Sequence, residues 1–233
     1  MQARNTISLW VLAALAALVA WGCESDESAD APTDAALAGD AAAPSTDAGA
    51  GNDADTPGPA GERMVFTGQS SDARTLVGVV VAGTRVGFYG CGSGDTLSTH
   101  SWWLFGDVGP DGTVALSDDA DFSLEGRIED DRFQGTYRMP DGGDVLTLDL
   151  PLAGPDDRSE MFELLDGECR MGVIVVENGQ DTPQIQGAWC DGEGVFLQVT
   201  PILPFAPDAR GLEVSVELPD GPREFVVTPV FGE

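Results

Sequence analysis

The chain has 233 residues, of which 42% are apolar and 22% charged, and this composition suits one ordinary domain or two small ones. Forty acidic residues stand against eleven basic ones, all of them arginine, so the formal net charge is -29. Such a surface repels nucleic-acid phosphates and anionic lipid head groups, which argues against either as a binding partner.

Residues 1–22 are predicted to be an export signal. Arg4 is the one charged side chain before the apolar run Ile7–Gly22. A basic start, a short apolar run and small residues before the cleavage point are typical of a secretory signal peptide. The run has sixteen residues, fewer than the roughly twenty that a membrane-spanning helix needs. A permanent membrane helix is the alternative interpretation.

The motif Ala20-Trp21-Gly22-Cys23 ends this run and resembles the lipobox of bacterial lipoproteins. The resemblance implies cleavage before Cys23 and acylation of Cys23, which anchors a protein stably when two or three chains are attached. The family pattern prefers leucine and then alanine or serine before Gly-Cys, so Trp21 is a departure. Glu24 stands where the family's inner-membrane retention signal has aspartate, which implies the outer membrane or cell surface. A soluble periplasmic or extracellular protein is the alternative.

An acidic linker is predicted over residues 23–62. Its part from Glu24 to Glu62 contains ten acids, twelve alanines and four prolines, with no basic and no aromatic residue. Such a segment cannot bury enough apolar surface to offset the entropy of ordering, so we expect disorder. We interpret the linker as a spacer between a membrane and a folded domain, and a tail without a specific role is the alternative.

Residues 63–233 are predicted to form an all-β domain, because apolar and polar residues alternate with period two and no helical apolar stripe is present. The predicted half-buried strands are Phe122–Glu129, Arg132–Met139, Val145–Leu150, Gly211–Leu218 and Arg223–Val230. Pro-Asp-Gly turns at 110–112, 140–142 and 219–221, and an Asn-Gly turn at 178–179, have the spacing of antiparallel meanders. The pattern predicts an antiparallel meander that forms a barrel or a sandwich.

Two segments look like copies of one hairpin. Leu76–Asp95 and Arg170–Gly194 each contain Gly-Val-x-Val, a turn and a second strand that ends in cysteine. Cys91 matches Cys190 at a spacing of 99 residues. The repeat predicts two duplicated β-lobes, with sub-lobes at 63–165 and 166–233, or one barrel built from a duplicated meander. A chance likeness between strand-rich segments is the alternative.

Three short motifs resemble a class of secreted bacterial β-domains without assigned activity. They are Phe88-Tyr89-Gly90-Cys91, Leu124-Glu125-Gly126 and Met161-Phe162-Glu163. The resemblance implies a fold and export, and it implies no activity.

Three cysteines remain for an oxidising compartment once Cys23 is set aside, which predicts one disulfide and one free thiol. Cys169 and Cys190 flank the Asn-Gly turn, so hairpin pairing would bring them within bridging distance. A Cys91–Cys190 bridge is one alternative, and the absence of any bridge is the other. We expect the odd thiol to be a buried core residue rather than a nucleophile.

His100, the single histidine of the chain, is the candidate general base for catalysis. A serine hydrolase would use Ser93 or Ser101 as the nucleophile and His100 as its base. The Gly-x-Ser-x-Gly pattern is incomplete at Cys91–Asp95, and neighbours on a strand point to opposite faces. We therefore assign no catalytic residue and no cofactor.

Calcium is the one metal that the composition favours, because it prefers oxygen ligands. In Asp107–Asp118 acids occupy places one, five and twelve of an EF-hand-like loop, with glycine at six. Gly109 occupies place three, where such a loop needs a ligand, and strands flank the segment. Solvated turns are the alternative. The calcium candidates are Asp107, Asp111, Asp118, Asp119 and Asp121.

The sequence as a whole predicts a membrane-anchored surface lipoprotein that acts as a non-catalytic binding or structural module. Trp102 and Trp103 are adjacent on a predicted strand, so one faces inward and the other outward. An outward tryptophan offers a platform for a sugar ring or a protein partner at the cell surface. A tryptophan covered by a neighbouring loop is the alternative.

Two other functions stay open. The first is a secreted hydrolase that acts on glycans with paired carboxylates near Asp118, Asp119 and Asp121. The second is a calcium-dependent adhesion domain.

Overall fold

The structure is a computed structural model that describes residues 62–140, 142–167, 169–177, 179, 182–192, 194–204 and 211–232. These residues belong to one unit of the chain, Asp53–Glu233. The predicted signal peptide, the lipidation site Cys23 and the linker up to residue 61 lie outside the described residues. Within the described part, no helix has the length and apolar character needed to cross a membrane.

The described residues fold almost entirely into antiparallel β-strands, which confirms the predicted all-β class. The strands are β1 (Arg63–Gln69), β2 (Leu76–Ala82), β3 (Arg85–Cys91), β4 (Trp102–Asp107), β5 (Thr113–Ser117), β6 (Ser123–Glu129), β7 (Arg132–Arg138), β8 (Val145–Pro151), β9 (Glu160–Asp166), β10 (Cys169–Val176), β11 (Gln184–Cys190), β12 (Phe196–Pro201), β13 (Leu212–Leu218) and β14 (Gly221–Pro229). A 3-10 turn, Gly94–Thr96, leads into the four-residue helix α1 (Leu97–His100).

The strands form three assemblies in chain order. Strands β1 to β4 make a four-stranded sheet, the central sheet, and β5 to β8 make a second one, the outer sheet. Strands β9 to β14 close into a six-stranded barrel in which β9 pairs with both β10 and β14. Single antiparallel bridges, Phe66 with Leu152 and Val108 with Val114, connect the two sheets. The predicted division between sub-lobes, at residues 165 and 166, falls inside β9.

The central sheet is buried on both faces. Val79 and Phe88 belong to the hydrophobic cluster shared with the outer sheet, whereas Tyr89 and Cys91 belong to the cluster shared with the barrel. A third cluster lies among the strands of the barrel. A strand covered on both faces needs apolar side chains at successive positions, which explains the uninterrupted apolar sequence of β2.

The outer sheet has one face in water, and its strands alternate accordingly. Along β8, exposed and buried residues follow each other at every position. The five strands predicted from alternation correspond to β6, β7, β8, β13 and β14, and each predicted end lies within two residues of the observed one. Period two is therefore visible in the sequence of β6, β7 and β8, where one face of the strand is covered.

Cys169 and Cys190 form a disulfide that joins the start of β10 to the end of β11, with their Cα atoms 5.5 Å apart. This confirms the pairing predicted from the hairpin between them. Cys91 is a free thiol and is buried. A disulfide indicates an oxidising environment of the kind that exported proteins meet.

The two segments with matching sequence are both antiparallel hairpins, and they have the same register. Gly78 of β2 and Gly172 of β10 each lie opposite the residue two positions before the matching cysteine, Cys91 or Cys190. The two hairpins meet in the hydrophobic cluster between the central sheet and the barrel. Their common register agrees with a duplicated unit, and duplication itself stays a prediction.

Acid should weaken the fold through Glu177, which follows β10. Hydrogen bonds from the side chain and backbone of Arg158 lower the pKa of the Glu177 carboxyl from 4.5 to about 2. Because the folded-state pKa lies below the unfolded one, this stabilisation is complete above pH 4.5 and is lost as the pH falls through 2. We expect the melting temperature of wild type to exceed that of Glu177→Gln at neutral pH and to converge with it near pH 2.

Thermal unfolding measured at successive pH values checks this expectation. The control is Glu125→Gln, which neutralises an exposed carboxylate on β6 and should give a curve parallel to wild type. A constant difference between wild type and Glu177→Gln across this pH range would contradict the assignment.

Candidate functional site

An aromatic cavity of about 340 Å³ lies beside the disulfide, lined by β3 and β4 of the central sheet, by strands of the barrel and by Asp118 from the turn after β5. We call it the Trp cavity. Its aromatic lining consists of Tyr89, Trp102, Trp103 and Phe196. Rings from three strands of two assemblies meet here because the central sheet packs on the barrel. The cavity is thus a product of tertiary packing, with a volume that suits a small ring-shaped ligand.

Trp102 is held in place from two directions. Its ring stacks on Phe122, with centroids 4.4 Å apart and planes inclined by 11°. Its indole N–H donates a hydrogen bond to the carboxylate of Asp118. Asp118 in turn accepts backbone N–H groups of Ala120 and Phe122, each at 3.0 Å. The carboxylate therefore fixes both the turn after β5 and the orientation of the tryptophan.

Trp103 is fixed on the opposite face of β4. Its ring stacks on Tyr89 at a centroid distance of 4.3 Å, and its indole N–H donates to the Arg170 carbonyl oxygen at 3.1 Å. The two tryptophans do face opposite sides of β4, as predicted for neighbours on a strand. Both are half-buried, because each face of the central sheet is covered by another assembly.

A second cavity, of about 580 Å³, shares Arg170 with the Trp cavity. We call it the Arg-Phe groove. The Arg170 guanidinium lies 4.3 Å above the Phe105 ring and pairs with the Glu163 carboxylate at 2.6 Å. The Arg85 guanidinium lies 4.3 Å above the Phe231 ring. Two cations stacked on two rings therefore form one wall of the groove.

Backbone features of two residues make room for these rings. Phe231 has a φ of +52°, in the left-handed region that costs a bulky residue about 1–2 kcal/mol. A Cβ atom on Gly87 would lie 3.1 Å from the Phe105 ring and 3.4 Å from the Phe231 ring. The absence of a side chain at Gly87 therefore lets both rings approach the central sheet. Strain of this kind accumulates at ligand sites.

Cys91 is a buried thiol near the Trp cavity. Burial raises the pKa of Cys91 to about 12, so the thiol is protonated at neutral pH. Ser101, which lines the cavity, accepts the Gly92 N–H at 3.2 Å and contacts the Cys91 sulfur at 3.8 Å. The structure thus places Cys91 as a core residue. A protonated thiol is a poor nucleophile.

His100 is buried at the end of α1, and its contacts are with Thr75, Asp72 and Asp144. Its Nδ1 lies 3.1 Å from the Thr75 hydroxyl, and carboxylate oxygens of Asp72 and Asp144 lie 3.8 and 3.7 Å from its ring nitrogens. Ser93 donates its hydroxyl to the carbonyl oxygen of Arg74 at 3.0 Å. These contacts of His100 connect loops rather than a nucleophile and its base.

The calcium candidates lie on different features. Asp107 is at the end of β4 and lines the Arg-Phe groove. Asp111 accepts the Thr113 hydroxyl at 2.7 Å, and hydrogen bonds from Thr113 lower the pKa of its carboxyl. Arg127 lies 3.8 Å from the same carboxylate. These contacts give Asp111 a structural role in its turn.

The other three candidates share the turn between β5 and β6. Asp118 is engaged with Trp102, whereas Asp119 and Asp121 are exposed to solvent. Over the part of the chain that the structure describes, no group of three acidic, histidine or cysteine side chains is arranged to hold a metal ion. Of these three aspartates, Asp118 is the one that lines a cavity described above.

Arg85, Arg170, Phe105 and Phe231 were not foreseen from the sequence. They come from separate strands and from the turn after β14, and only the packing of the central sheet on the barrel brings them together. Gly87 carried the one local signal, since a glycine inside an apolar strand often marks a close approach.

Comparison of this chain with protein-family models, with curated protein sequences and with solved structures finds no match. The two cavities and the residues that line them are therefore the features from which a function is proposed.

Proposed function

We propose that this chain is an exported, membrane-anchored surface protein whose β-domain binds a ligand without catalysis. The anchor is the acylated Cys23, and the acidic segment 23–62 separates the anchor from the domain. The ligand site is the Trp cavity together with the adjoining Arg-Phe groove.

The anchor proposal is supported by the sequence around Cys23. A basic residue, a short apolar run and Gly22-Cys23 precede an acidic segment without aromatic residues. The Cys169–Cys190 disulfide supports export, because such bonds persist in oxidising compartments.

The pre-positioned aromatic lining is the observation that carries the binding proposal. Stacking on protein rings and indole hydrogen bonds to protein acceptors hold Trp102 and Trp103 in place. A site whose side chains are already ordered loses little conformational entropy when it binds. Its lining contains few polar side chains, Ser101, Asp118 and Arg170, as in small-molecule sites generally.

Mass spectrometry of the mature N-terminus tests the anchor. The full chain should begin at an acylated Cys23 and fractionate with membranes. The Cys23→Ala variant should lose the lipid and should not be cleaved before residue 23. An unmodified Cys23, or cleavage at another residue, would contradict the anchor proposal.

Binding is tested with an oligosaccharide array followed by titration calorimetry of the retained sugars. Phe196→Ala removes one aromatic wall of the Trp cavity, and we expect at least ten-fold weaker binding. Val226→Ala is the control, because Val226 is 49% exposed on β14 and lines neither the Trp cavity nor the Arg-Phe groove. Equal affinities for wild type and Phe196→Ala would contradict a ligand site at the Trp cavity, and an array that retains no sugar would contradict a sugar as its ligand.

A further inference from the structure

Arg85 differs from most arginines of this acidic domain. Seven of the nine described arginines have a described carboxylate within 4.0 Å, and Arg85 and Arg138 are the other two. Arg138 is exposed at the end of β7, on the outer sheet. Arg85 instead lines the Arg-Phe groove, where its recorded contact is the ring of Phe231.

Arg85 has a neighbouring carboxylate, that of Asp107, with which it does not form an ion pair. Asp107 lies directly opposite Arg85 in the β3–β4 ladder. The guanidinium nevertheless lies over the Phe231 ring, and among the ion pairs of the described residues none joins Arg85 to Asp107. The guanidinium carbon lies 4.3 Å from the ring centroid, and the N–H edge of the group has no described acceptor. This planar edge matches a carboxylate, which guanidinium binds through two parallel hydrogen bonds.

Apolar surface surrounds this free donor edge. Phe105 is 39% exposed and Leu165 is 63% exposed, and both line the Arg-Phe groove. A ligand that fits must therefore present a carboxylate next to an apolar face. A pyranose ring with a carboxylate substituent has this combination, because its C–H groups form an apolar face and its carboxylate projects from the ring edge.

The strand pairing limits how an acidic peptide could occupy the groove. Three of the strands that line the groove, β3, β9 and β10, are paired on both sides. The fourth, β4, is the edge strand of the central sheet. An extended peptide gains affinity by adding to a free strand edge, so in this groove it would have to add to β4, whereas Arg85 lies on the fully paired β3. A sugar has no backbone amides that require such pairing.

We propose that the Arg-Phe groove binds a carboxylate-bearing sugar of the uronate class. The carboxylate is held by Arg85, and the sugar ring lies against Phe105 and Leu165. This inference rests on the proposed function, since it names the ligand class of the same site.

Three uronate trisaccharides, of galacturonate, glucuronate and mannuronate, and the neutral methyl ester of each test the proposal. Binding to the full chain is followed by tryptophan fluorescence in about 0.15 M salt, where a Debye length of about 8 Å limits repulsion by the acidic surface. We expect at least one uronate to bind at least ten-fold more tightly than its ester. Arg85→Gln should remove this preference, and Arg138→Gln, which makes the same charge change on the outer sheet, should keep it.

Each result supports or overturns the proposal. Failure of all three uronates, equal binding of acid and ester, or equal losses in Arg85→Gln and Arg138→Gln would overturn it. A neutral sugar that binds in a manner dependent on Phe196 would overturn the carboxylate assignment and leave the proposed function standing. Unchanged melting temperatures of both exposed-arginine variants establish that the comparison concerns binding rather than folding.

Discussion

Replacing Cys169 and Cys190 together with alanine should lower the free energy of unfolding by about 3 kcal/mol. The disulfide closes a loop with a sequence separation of 21 residues and so restricts the unfolded chain. It also places the Cys169 sulfur where it accepts the Cys190 N–H at 3.0 Å. Urea denaturation of the double variant measures the loss as a lower midpoint.

Two comparisons isolate the contribution of the disulfide. A reducing agent should lower the stability of wild type toward that of the double variant and should leave the double variant unchanged. Cys91→Ala removes a buried thiol that is not in a disulfide, and about 1 kcal/mol is expected for such a small deletion. Equal urea midpoints for wild type and the double variant would contradict a stabilising disulfide.

Gly172→Ala should destabilise the domain by about 1–3 kcal/mol, the usual cost of overpacking a filled core. A Cβ atom at position 172 would lie 2.3 Å from the Tyr89 ring and 2.7 Å from the Trp103 ring. Neither ring has room to retreat, because each stacks on the other and Trp103 also donates to a backbone carbonyl. Urea denaturation measures the loss.

Gly154→Ala is the matched control, since a Cβ atom there meets nothing within 4 Å. We expect its stability to remain close to wild type. Tryptophan fluorescence should change in Gly172→Ala, where Trp103 has to move, and should be unchanged in Gly154→Ala. Equal urea midpoints for the two variants would contradict the close packing of Gly172 against the Tyr89 and Trp103 rings.

The sequence predicted strands best where one face of a sheet meets water. In β6, β7 and β8 the alternation of side chains records that difference directly. In β2 and β10 both faces are covered, so the apolar run marks a buried segment without indicating which assembly covers each face. The closed barrel and the separate sheets follow from long-range strand pairing, which alternation does not specify.

The disulfide was within reach of the sequence because its cysteines flank one hairpin, so local pairing decides their separation. The tryptophan pair was also identified, through its position on one strand. The Arg-Phe groove was not, because Arg85 and Phe231 come from opposite ends of the domain and meet only after the central sheet has packed on the barrel. No local sequence pattern around Phe231 predicts its left-handed backbone conformation.

The central sheet makes the domain indivisible. Its two faces complete two different hydrophobic clusters, so each neighbouring assembly depends on the same four strands. A fragment that ended after β8 would expose Val80, Tyr89 and Cys91 to water, and the isolated barrel would expose Met161 and Ile174. We therefore expect the domain to unfold in one cooperative transition. Cutting the chain between the assemblies would produce two aggregation-prone fragments with exposed apolar surface, and neither would be a stable domain.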